Sequence, residues 1–299
     1  MSVDGGTGPV DSFQPVTAPL AATLDTIRAL GLERHVFELD TQGYTVVDDA
    51  LDTATTEELG SLLSRLANED RERGARLGWV PPGSTREVML LLSRGGPAVE
   101  RLVMHDRVLP LITYLLGSRC TISSVTGYVK QRGDAPLGVH SDTAYVPDPL
   151  PPYAQLANVN YCLTRYTAAD GCLTMVPGSH RYCHRPRDGQ GASEAVPIEA
   201  PPGAAIVFHG NTWHGALPRT RDGLRLTIST LYCRMYMRPQ ERYDEIIGAE
   251  VLDRNPPRFR TLVGLDVPTG WRSVDDAERV VGLRRAHAPT FYRTRSGHT

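Results

Sequence analysis

The chain has 299 residues, of which 40% are hydrophobic and 22% are charged, and its formal net charge is −2. This composition is typical of a globular protein that buries a sizeable core. The 32 basic residues are balanced by 34 acidic ones, which excludes the basic excess that nucleic-acid binding requires.

Two further features of the sequence bear on the cellular compartment. The five cysteines form no Cys-x-x-Cys pair, which disfavours a disulfide framework or a zinc ribbon and favours reduced thiols. The sequence shows no secretory signal pattern at Met1–Pro19 and no apolar run of about 18 residues. We therefore expect a cytoplasmic protein with no membrane or nucleic-acid partner, as a monomer or a homodimer.

The first part of the chain is predicted to be mainly helical. Residues 1–18 are rich in Gly, Pro, Ser and Thr, and we expect a mobile tail ahead of a single domain over residues 19–299. A short apolar run after Gly43, Tyr44–Val47, predicts one strand. Apolar residues at helical spacing predict helices over 18–32, Thr53–Arg76 and Val99–Leu116.

The character of the sequence changes after Gly117. Short β-leaning runs separated by Pro and Gly turns predict a sandwich or jelly roll, so the fold should be mainly β with the earlier helices covering one face. We expect this core to extend from about residue 118 to 235. Beyond it lies a C-terminal extension, 236–299, with a short helix near Ser273–Leu283. The predicted strands are Thr121–Gln131, Gln155–Leu163, Gly171–Val176, Ala204–Phe208 and Leu224–Tyr232, and Arg181–Pro202 is predicted to be a long surface insertion.

The tripeptide His140-Ser-Asp142 is the first feature that carries chemistry. Alternate residues of an extended strand point to the same side, so the imidazole and the carboxylate can converge on one point. Mixed nitrogen and oxygen ligation suits Fe(II) or another divalent metal. A His-x-Asp tripeptide alone is weak evidence for a metal site.

A second pair of histidines follows the apolar strand that ends at Phe208. In His209-Gly-Asn-Thr-Trp-His214, a histidine at a strand end could supply the third ligand of a facial triad of two histidines and one carboxylate. Such a triad leaves three adjacent coordination positions open. For His209 the favoured interpretation is a structural, hydrogen-bonded histidine.

Arg225 lies eleven residues after His214, near the start of the run Leu224–Thr230. A planar guanidinium binds a carboxylate through two parallel hydrogen bonds, as the distal end of a dicarboxylate requires. An unpaired arginine buried at the start of a core strand would otherwise be costly. The alternative is an arginine at the mouth of the strand that faces water.

Taken in order, these motifs resemble the phytanoyl-CoA dioxygenase family. The most specific segment is Gly171-Cys-Leu-Thr-Met-Val-Pro-Gly-Ser-His180, which is similar to the family signature Gly-x-Leu-x-x-x-Pro-Gly-Ser-His. The segment Gly43-Tyr-Thr-Val-Val47 is similar to the usual N-terminal opening of the family. The resemblance covers roughly residues 40–235. It also includes His140-x-Asp142 and His214-Gly with Arg225 eleven residues later.

The resemblance implies a double-stranded β-helix, a cupin-like jelly roll, in which His140, Asp142 and His214 bind Fe(II). The spacing to Arg225 selects His214 over His209 as the distal ligand. Arg225 would then pair with the far carboxylate of the co-substrate 2-oxoglutarate. O₂ would be the second co-substrate, and ascorbate would serve as a reductant in vitro.

Two further residues are expected beside 2-oxoglutarate. Asn160 falls where the family places a residue next to the co-substrate, and a cross-strand hydrogen bond is an equal alternative. Some family members carry a hydroxyl residue two positions after the distal histidine, where this chain has Ala216. Strand alternation puts Thr126 on one face with Lys130. Thr126 is expected to supply the missing hydroxyl, and Lys130 is expected to be a solvated charge at the strand end.

For the reaction, the resemblance implies decarboxylation of 2-oxoglutarate to succinate and CO₂, coupled to hydroxylation of an unactivated C–H bond in a small molecule. Asp142 argues against halogenation, because related halogenases have a small residue in its place, whereas desaturation, epoxidation and ring formation stay open. Tyr145 and Trp213 are expected to line the substrate pocket. The composition hints at secondary metabolism, and natural-product, amino-acid and lipid substrates are compatible with the sequence.

Two other classes of protein share these features. One is a cupin-like metalloenzyme that works without 2-oxoglutarate, either an isomerase or a cofactor-independent dioxygenase. The spacing of Arg225 argues against it. The other is a non-catalytic metal-binding sensor with the same fold, which an intact triad together with Arg225 disfavours.

Overall fold

The structure is a computed structural model that describes residues 18–77, 85–267 and 273–278. The predicted N-terminal tail, except for residue 18, lies outside the described residues, and so do residues 279–283 of the predicted C-terminal helix. Among the described residues, 274–278 are helical.

The larger of two antiparallel sheets has six strands. Its central strands are long and almost entirely buried, because both of their faces are covered. Every neighbouring pair in this sheet is antiparallel. In spatial order the strands are β1 (Tyr44–Val47), β8 (Ala205–His209), β5 (Leu156–Cys162), β10 (Leu224–Cys233), β3 (Thr121–Gln131) and β2 (Arg86–Val88).

The smaller sheet has four strands and lies against the inner face of the larger one. An apolar cluster that includes Ile206 and Phe208 from the larger sheet, and Leu173 and Met175 from the smaller, fills the space between them. This two-sheet arrangement confirms the predicted jelly roll. Its strands, in spatial order, are β4 (Leu137–His140), β9 (His214–Ala216), β6 (Leu173–Met175) and β7 (Val196–Pro197).

Helices cover the outer face of the larger sheet. Helix α3 lies so close to β3 that a Cβ atom at Gly127 would overlap the Leu63 side chain, so a larger residue there would require Leu63 to shift. The second apolar cluster of the protein forms between these helices and the sheet. The helices are α1 (Ala18–Ala29), α2 (Glu33–Gln42), α3 (Thr53–Leu77), α4 (Leu91–Arg94), α5 (Gly96–Val103), α6 (Leu109–Leu116), α7 (Tyr243–Ile246), α8 (Ala249–Arg254) and α9 (Pro257–Leu262).

Two predictions about individual elements were wrong. The single helix expected over Val99–Leu116 is divided into α5 and α6, because Pro110 stands in the first turn of α6 and cannot continue a preceding helix. The predicted insertion Arg181–Pro202 is only partly a surface loop. Its second half contributes strand β7, which pairs with β6 at the edge of the smaller sheet.

The described ranges contain no helix that is long and apolar enough to cross a membrane.

Glu241 fastens the C-terminal extension to the larger sheet. Its buried carboxylate accepts hydrogen bonds from the backbone N–H groups of Leu90 at 2.7 Å and Val125 at 2.9 Å, and from the Tyr243 hydroxyl. Three donors that lie far apart in the sequence therefore meet at one side chain.

We expect Glu241→Ala to lower the free energy of unfolding by roughly 2–4 kcal/mol, because it leaves buried donors without an acceptor. Urea denaturation measures the change. The control is Glu245→Ala, which removes a half-exposed carboxylate paired with Arg242 at the surface and should cost less than about 1 kcal/mol. Equal losses in the two variants would contradict this role of Glu241.

Candidate metal centre

The pairing of β4 with β9 brings the predicted metal ligands together. In this register His140 lies opposite His214, and Asp142 follows β4 by two residues. One ligand atom from each residue lies within 4.8 Å of the others. His214 Nε2 is 3.5 Å from Asp142 Oδ1. Close approach of the two strands requires Gly215, because a Cβ atom there would come within 2.6 Å of the Leu137 carbonyl oxygen.

Backbone carbonyl groups orient both imidazoles. His140 Nδ1 bonds to the Gly138 carbonyl oxygen and His214 Nδ1 to that of Thr212, each at 2.9 Å. A nitrogen that donates to a carbonyl carries the proton, so the lone pair of each ring is left on Nε2. Burial lowers the pKa of His214, which favours the neutral, metal-binding form. These contacts suit ligands of a divalent metal.

Asp142 is held by an amide that the sequence analysis did not single out. Asn158 Nδ2 donates to Asp142 Oδ2 at 3.1 Å, and Ser229 Oγ donates to Asn158 Oδ1 at 2.7 Å. Such outer contacts fix the orientation of a ligating carboxylate. A signal was present in the sequence, because Asn158 and Asn160 alternate along one strand, but the sequence does not show which of them reaches Asp142.

The segment Gly171–His180 fixes the surroundings of the site. Ser179 Oγ donates to the Val176 carbonyl oxygen at 2.6 Å and accepts the Trp213 N–H at 2.8 Å, immediately before β9. Gly171 has a φ of +78°, and a Cβ atom there would lie 2.8 Å from the Leu217 carbonyl oxygen. The pattern of glycine and serine in this segment therefore places the strand that carries His214.

Arg225 lies on the inner face of the larger sheet. Its side chain is 5% exposed, its Nη1 donates to the Gly171 carbonyl oxygen at 2.5 Å, and its guanidinium lies 5.1 Å from the centre of the Tyr166 ring. The Nε atom is buried and has no acceptor. No carboxylate in the described ranges lies within ion-pair distance of Arg225. A buried guanidinium in this state suits a carboxylate ligand.

Lys130 was expected to be solvated, and this prediction was wrong. The side chain is 2% exposed, and its Nζ donates to the Leu217 carbonyl oxygen at 2.7 Å. Lys130 is the Cα partner of Arg225 across β3 and β10, so both cations lie on the inner face. The alternation that placed Lys130 with Thr126 was correct. The error was to treat the end of β3 as open to water.

Thr126 and Asn160 lie on the same inner face as Arg225. Both are buried, and both are Cα partners of Ser229, from opposite sides of β10. They therefore lie close to the Ser229–Asn158 pair that supports Asp142. Their predicted contacts with 2-oxoglutarate stay predictions.

His209 lies apart from the three ligand residues. It is buried beside His180, with ring centres 5.3 Å apart, and its Nδ1 accepts the Asn211 N–H at 3.0 Å. Burial lowers its pKa to about 3. These contacts are those of a structural histidine. His180 bonds through Nε2 to the Asp40 carbonyl oxygen at 3.3 Å.

The two residues expected to line the substrate pocket are placed differently. Tyr145 is 91% exposed in the loop after Asp142. Trp213 is buried under the segment 181–191, with its Nε1 donating to the His184 carbonyl oxygen at 3.0 Å and its ring against Tyr182. Neighbouring residues of an extended segment point to opposite sides, so a residue next to His214 faces away from the ligand atoms. Neither residue is brought to the triad.

Two imidazoles and one carboxylate on one side of a jelly roll form the donor set of a facial triad, which fits Fe(II) and leaves adjacent positions open. An unpaired arginine lies on the inner face of the same fold. This fold and site define the class of iron- and 2-oxoglutarate-dependent oxygenases.

The comparisons with known proteins agree with this class. The profile of the family described as phytanoyl-CoA dioxygenase (PhyH) matches residues 39–226, more than half of the chain. The chain belongs to this family. The predicted enzyme class, an iron- and 2-oxoglutarate-dependent oxygenase, is thereby confirmed.

Individual relatives are distant. The uncharacterized protein Rv1501 of Mycobacterium tuberculosis is 26% identical over 239 residues, which cover 76% of this chain and 84% of the relative. Dioxygenase af480 of Aspergillus fumigatus is 25% identical over 243 residues, covering 79% and 78%. The structure of the epimerase SnoN in complex with Fe³⁺, alpha-ketoglutarate and nogalamycin RO gives a TM-score of 0.56 at 24% identity, over 77% of this chain and 91% of SnoN. The likeness to SnoN shows the fold.

The two histidines of the motif His209–His214 should differ in metal binding. We expect His214→Ala to lower Fe(II) affinity at least about 100-fold, whereas His209→Ala leaves it within about threefold, because only His214 faces His140 and Asp142. Anaerobic calorimetry with Fe(II) measures both. Loss of metal in His209→Ala with retention in His214→Ala would contradict the assignment, and circular dichroism checks that both variants fold.

Proposed function

We propose that the protein hydroxylates an unactivated C–H bond of a small molecule, using Fe(II), 2-oxoglutarate and O₂, and releases succinate and CO₂. The observation that carries this proposal is the combination of the His140–Asp142–His214 cluster with an unpaired, buried Arg225 on the inner face of the larger sheet. The cluster supplies three ligands. The arginine supplies the partner for a dicarboxylate.

Each ligand residue would act through contacts already present. His140 and His214 would offer their Nε2 lone pairs, since their Nδ1 atoms are held by carbonyl groups. Asp142 would bind through Oδ1, because Oδ2 accepts the Asn158 amide. When bound, the iron supplies O₂ activation driven by oxidative decarboxylation of the co-substrate. The fixed ligand orientations would leave one side of the metal open.

Arg225 would fix the far end of 2-oxoglutarate. Its Nε and remaining donors would pair with the distal carboxylate in a low-dielectric environment, where such a pair is strongly favoured. The inner-face residues Thr126 and Asn160 would lie along the co-substrate. This arrangement argues against a cupin-like enzyme that does without 2-oxoglutarate. In such an enzyme the buried guanidinium of Arg225 would destabilise the fold and would have no ligand to bind.

The outcome proposed here is a hydroxylation. Asp142 argues against halogenation, because it occupies the position that a small residue takes in related halogenases. The substrate is expected to be a natural product or a similar small molecule. SnoN, which shares the fold, is an epimerase from nogalamycin biosynthesis. Desaturation, epoxidation, ring formation and epimerisation would start from the same iron and co-substrate site.

The direct test is substrate-stimulated succinate release. Protein loaded with Fe(II), 2-oxoglutarate and ascorbate in air should release succinate faster with the correct small molecule, and mass spectrometry should show a product with one added oxygen atom. The matched control is Asp142→Ala, which should abolish both. If the protein retains Fe(II) but no natural product, amino acid or lipid tested stimulates succinate release, the result would instead favour a non-catalytic sensor.

The role of Arg225 has its own test. We expect Arg225→Gln to raise the apparent KM for 2-oxoglutarate about 100-fold, since a charge-assisted bidentate pair contributes roughly 3 kcal/mol. Fe(II) affinity should stay unchanged. The matched control is Arg221→Gln, four residues earlier in the exposed turn before β10. An unchanged KM in Arg225→Gln would contradict the proposed contact.

A further inference from the structure

Lys130 is the only lysine in the sequence. Of the 32 basic residues, 31 are arginines. The single exception lies in a central strand of the larger sheet, is almost completely buried, and stands beside Arg225. An ammonium group is compact, carries three donors and can lose its charge within the protein, whereas a guanidinium is planar and stays charged. Lys130 therefore places at this position a group whose chemical properties no arginine of the chain could supply.

The two cations on the inner face lack an anionic partner. Lys130 donates to the carbonyl oxygen of Leu217, which is neutral, and Arg225 donates to that of Gly171 and has a buried Nε without an acceptor. No carboxylate in the described part of the chain lies within 4.0 Å of either group. Two like charges, buried side by side with only neutral acceptors, are strongly unfavourable until an anion binds.

The charged and titratable groups around Lys130 come from three directions. Arg225 faces it from β10, Asp134 from the turn after β3, and Cys172 from the residue before β6. Asp134 uses Oδ2 to accept the Gln131 N–H at 2.9 Å, and its Oδ1 is buried without a partner. Burial, and then Arg225, lower the pKa of Lys130 to about 8, against weaker opposite effects of Asp134 and Cys172.

We propose that Lys130 binds the distal carboxylate of 2-oxoglutarate together with Arg225. Lys130 would thus replace, as a hydrogen-bond donor to the co-substrate, the hydroxyl that some relatives carry two residues after the distal histidine, where this chain has Ala216. The inference rests on the proposed function, because it assigns one more residue to the same co-substrate. Two cations on neighbouring strands fit a carboxylate that accepts from both sides.

This assignment makes co-substrate binding depend on pH. A carboxylate next to the amine stabilises the ammonium, so binding raises the pKa of Lys130 above its value in the free protein. Below pH 8 the ammonium is already present and binding is at full strength. At higher pH, binding requires uptake of a proton, so affinity falls by up to about tenfold per pH unit until the raised pKa is passed. The effect disappears when residue 130 cannot titrate.

A single lysine gives a direct readout. Protein grown with ¹³C-labelled lysine shows one lysine side-chain signal, and Zn(II) can stand in for iron without paramagnetic broadening. We expect 2-oxoglutarate to raise the titration midpoint of this signal by at least about one pH unit. 2-Oxobutyrate, which binds a metal through the same 2-oxo acid group but has no distal carboxylate, should leave the midpoint unchanged.

The outcomes separate the inference from the proposed function. If calorimetry shows that 2-oxoglutarate binds and the lysine signal does not move, the role of Lys130 is wrong while the function stands. A signal that moves with an anionic small molecule but not with 2-oxoglutarate also overturns it. Failure of 2-oxoglutarate to bind at all, with metal present, would overturn the proposed function itself.

Variants give a second, independent test. We expect Lys130→Met to weaken 2-oxoglutarate binding about 10- to 30-fold at pH 7 and to abolish the loss of affinity above pH 8. Binding of 2-oxobutyrate should not change. Adding Ala216→Ser to Lys130→Met restores a donor beside the carboxylate and should recover part of the affinity. The matched control is Gln131→Met at the exposed end of the same strand. A Lys130→Met protein that binds 2-oxoglutarate like the control would overturn the inference.

Discussion

The site depends on one constraint, the antiparallel register between β4 and β9. A slip of one residue would turn His214 to the other side of the smaller sheet and leave His140 and Asp142 without the second histidine. Three features of the neighbouring backbone stabilise this register. Gly215 allows the strands to approach, Ser179 accepts the N–H just before β9, and the Asp142 N–H donates to the Gly210 carbonyl oxygen. The segment Gly171–His180 thus acts on the candidate metal centre by placing the backbone of β9.

Much of the fold could be predicted because its core strands carry their own signals. The β-leaning runs at Thr121–Gln131 and Leu224–Tyr232 coincide with β3 and β10 almost residue for residue. The clustering of His140, Asp142 and His214 could be predicted too, since the order and spacing of the motifs select these residues. What the sequence does not show is contact across strands. The support of Asp142 by Asn158 and the burial of Lys130 both depend on which residues of distant segments are paired. Trp213, although next to His214 in the sequence, packs against the segment 181–191, which the sequence does not show either.

The protein treats its buried arginines in two different ways. Arg219 is buried and forms an ion pair with buried Asp170 at 2.9 Å, so its charge is neutralised within the fold. Arg225, only six residues away, is equally buried but has neutral acceptors and a free Nε. An ion pair completed by the protein itself favours a fixed structure, whereas an incomplete one retains binding energy for a ligand. The contrast between Arg219 and Arg225 separates a charge that the protein itself neutralises from one that the proposed function assigns to a ligand.

The presence of a single lysine also determines how the chain can be cut. A protease specific for lysine has one target bond in this sequence, between Lys130 and Gln131, at the end of a strand that pairs with β10. Cleavage requires an extended, accessible backbone, so the bond is protected until the strand separates from its neighbour. The rate of this single cut therefore reports how often the larger sheet opens. A ligand that bridges β3 and β10 would slow it.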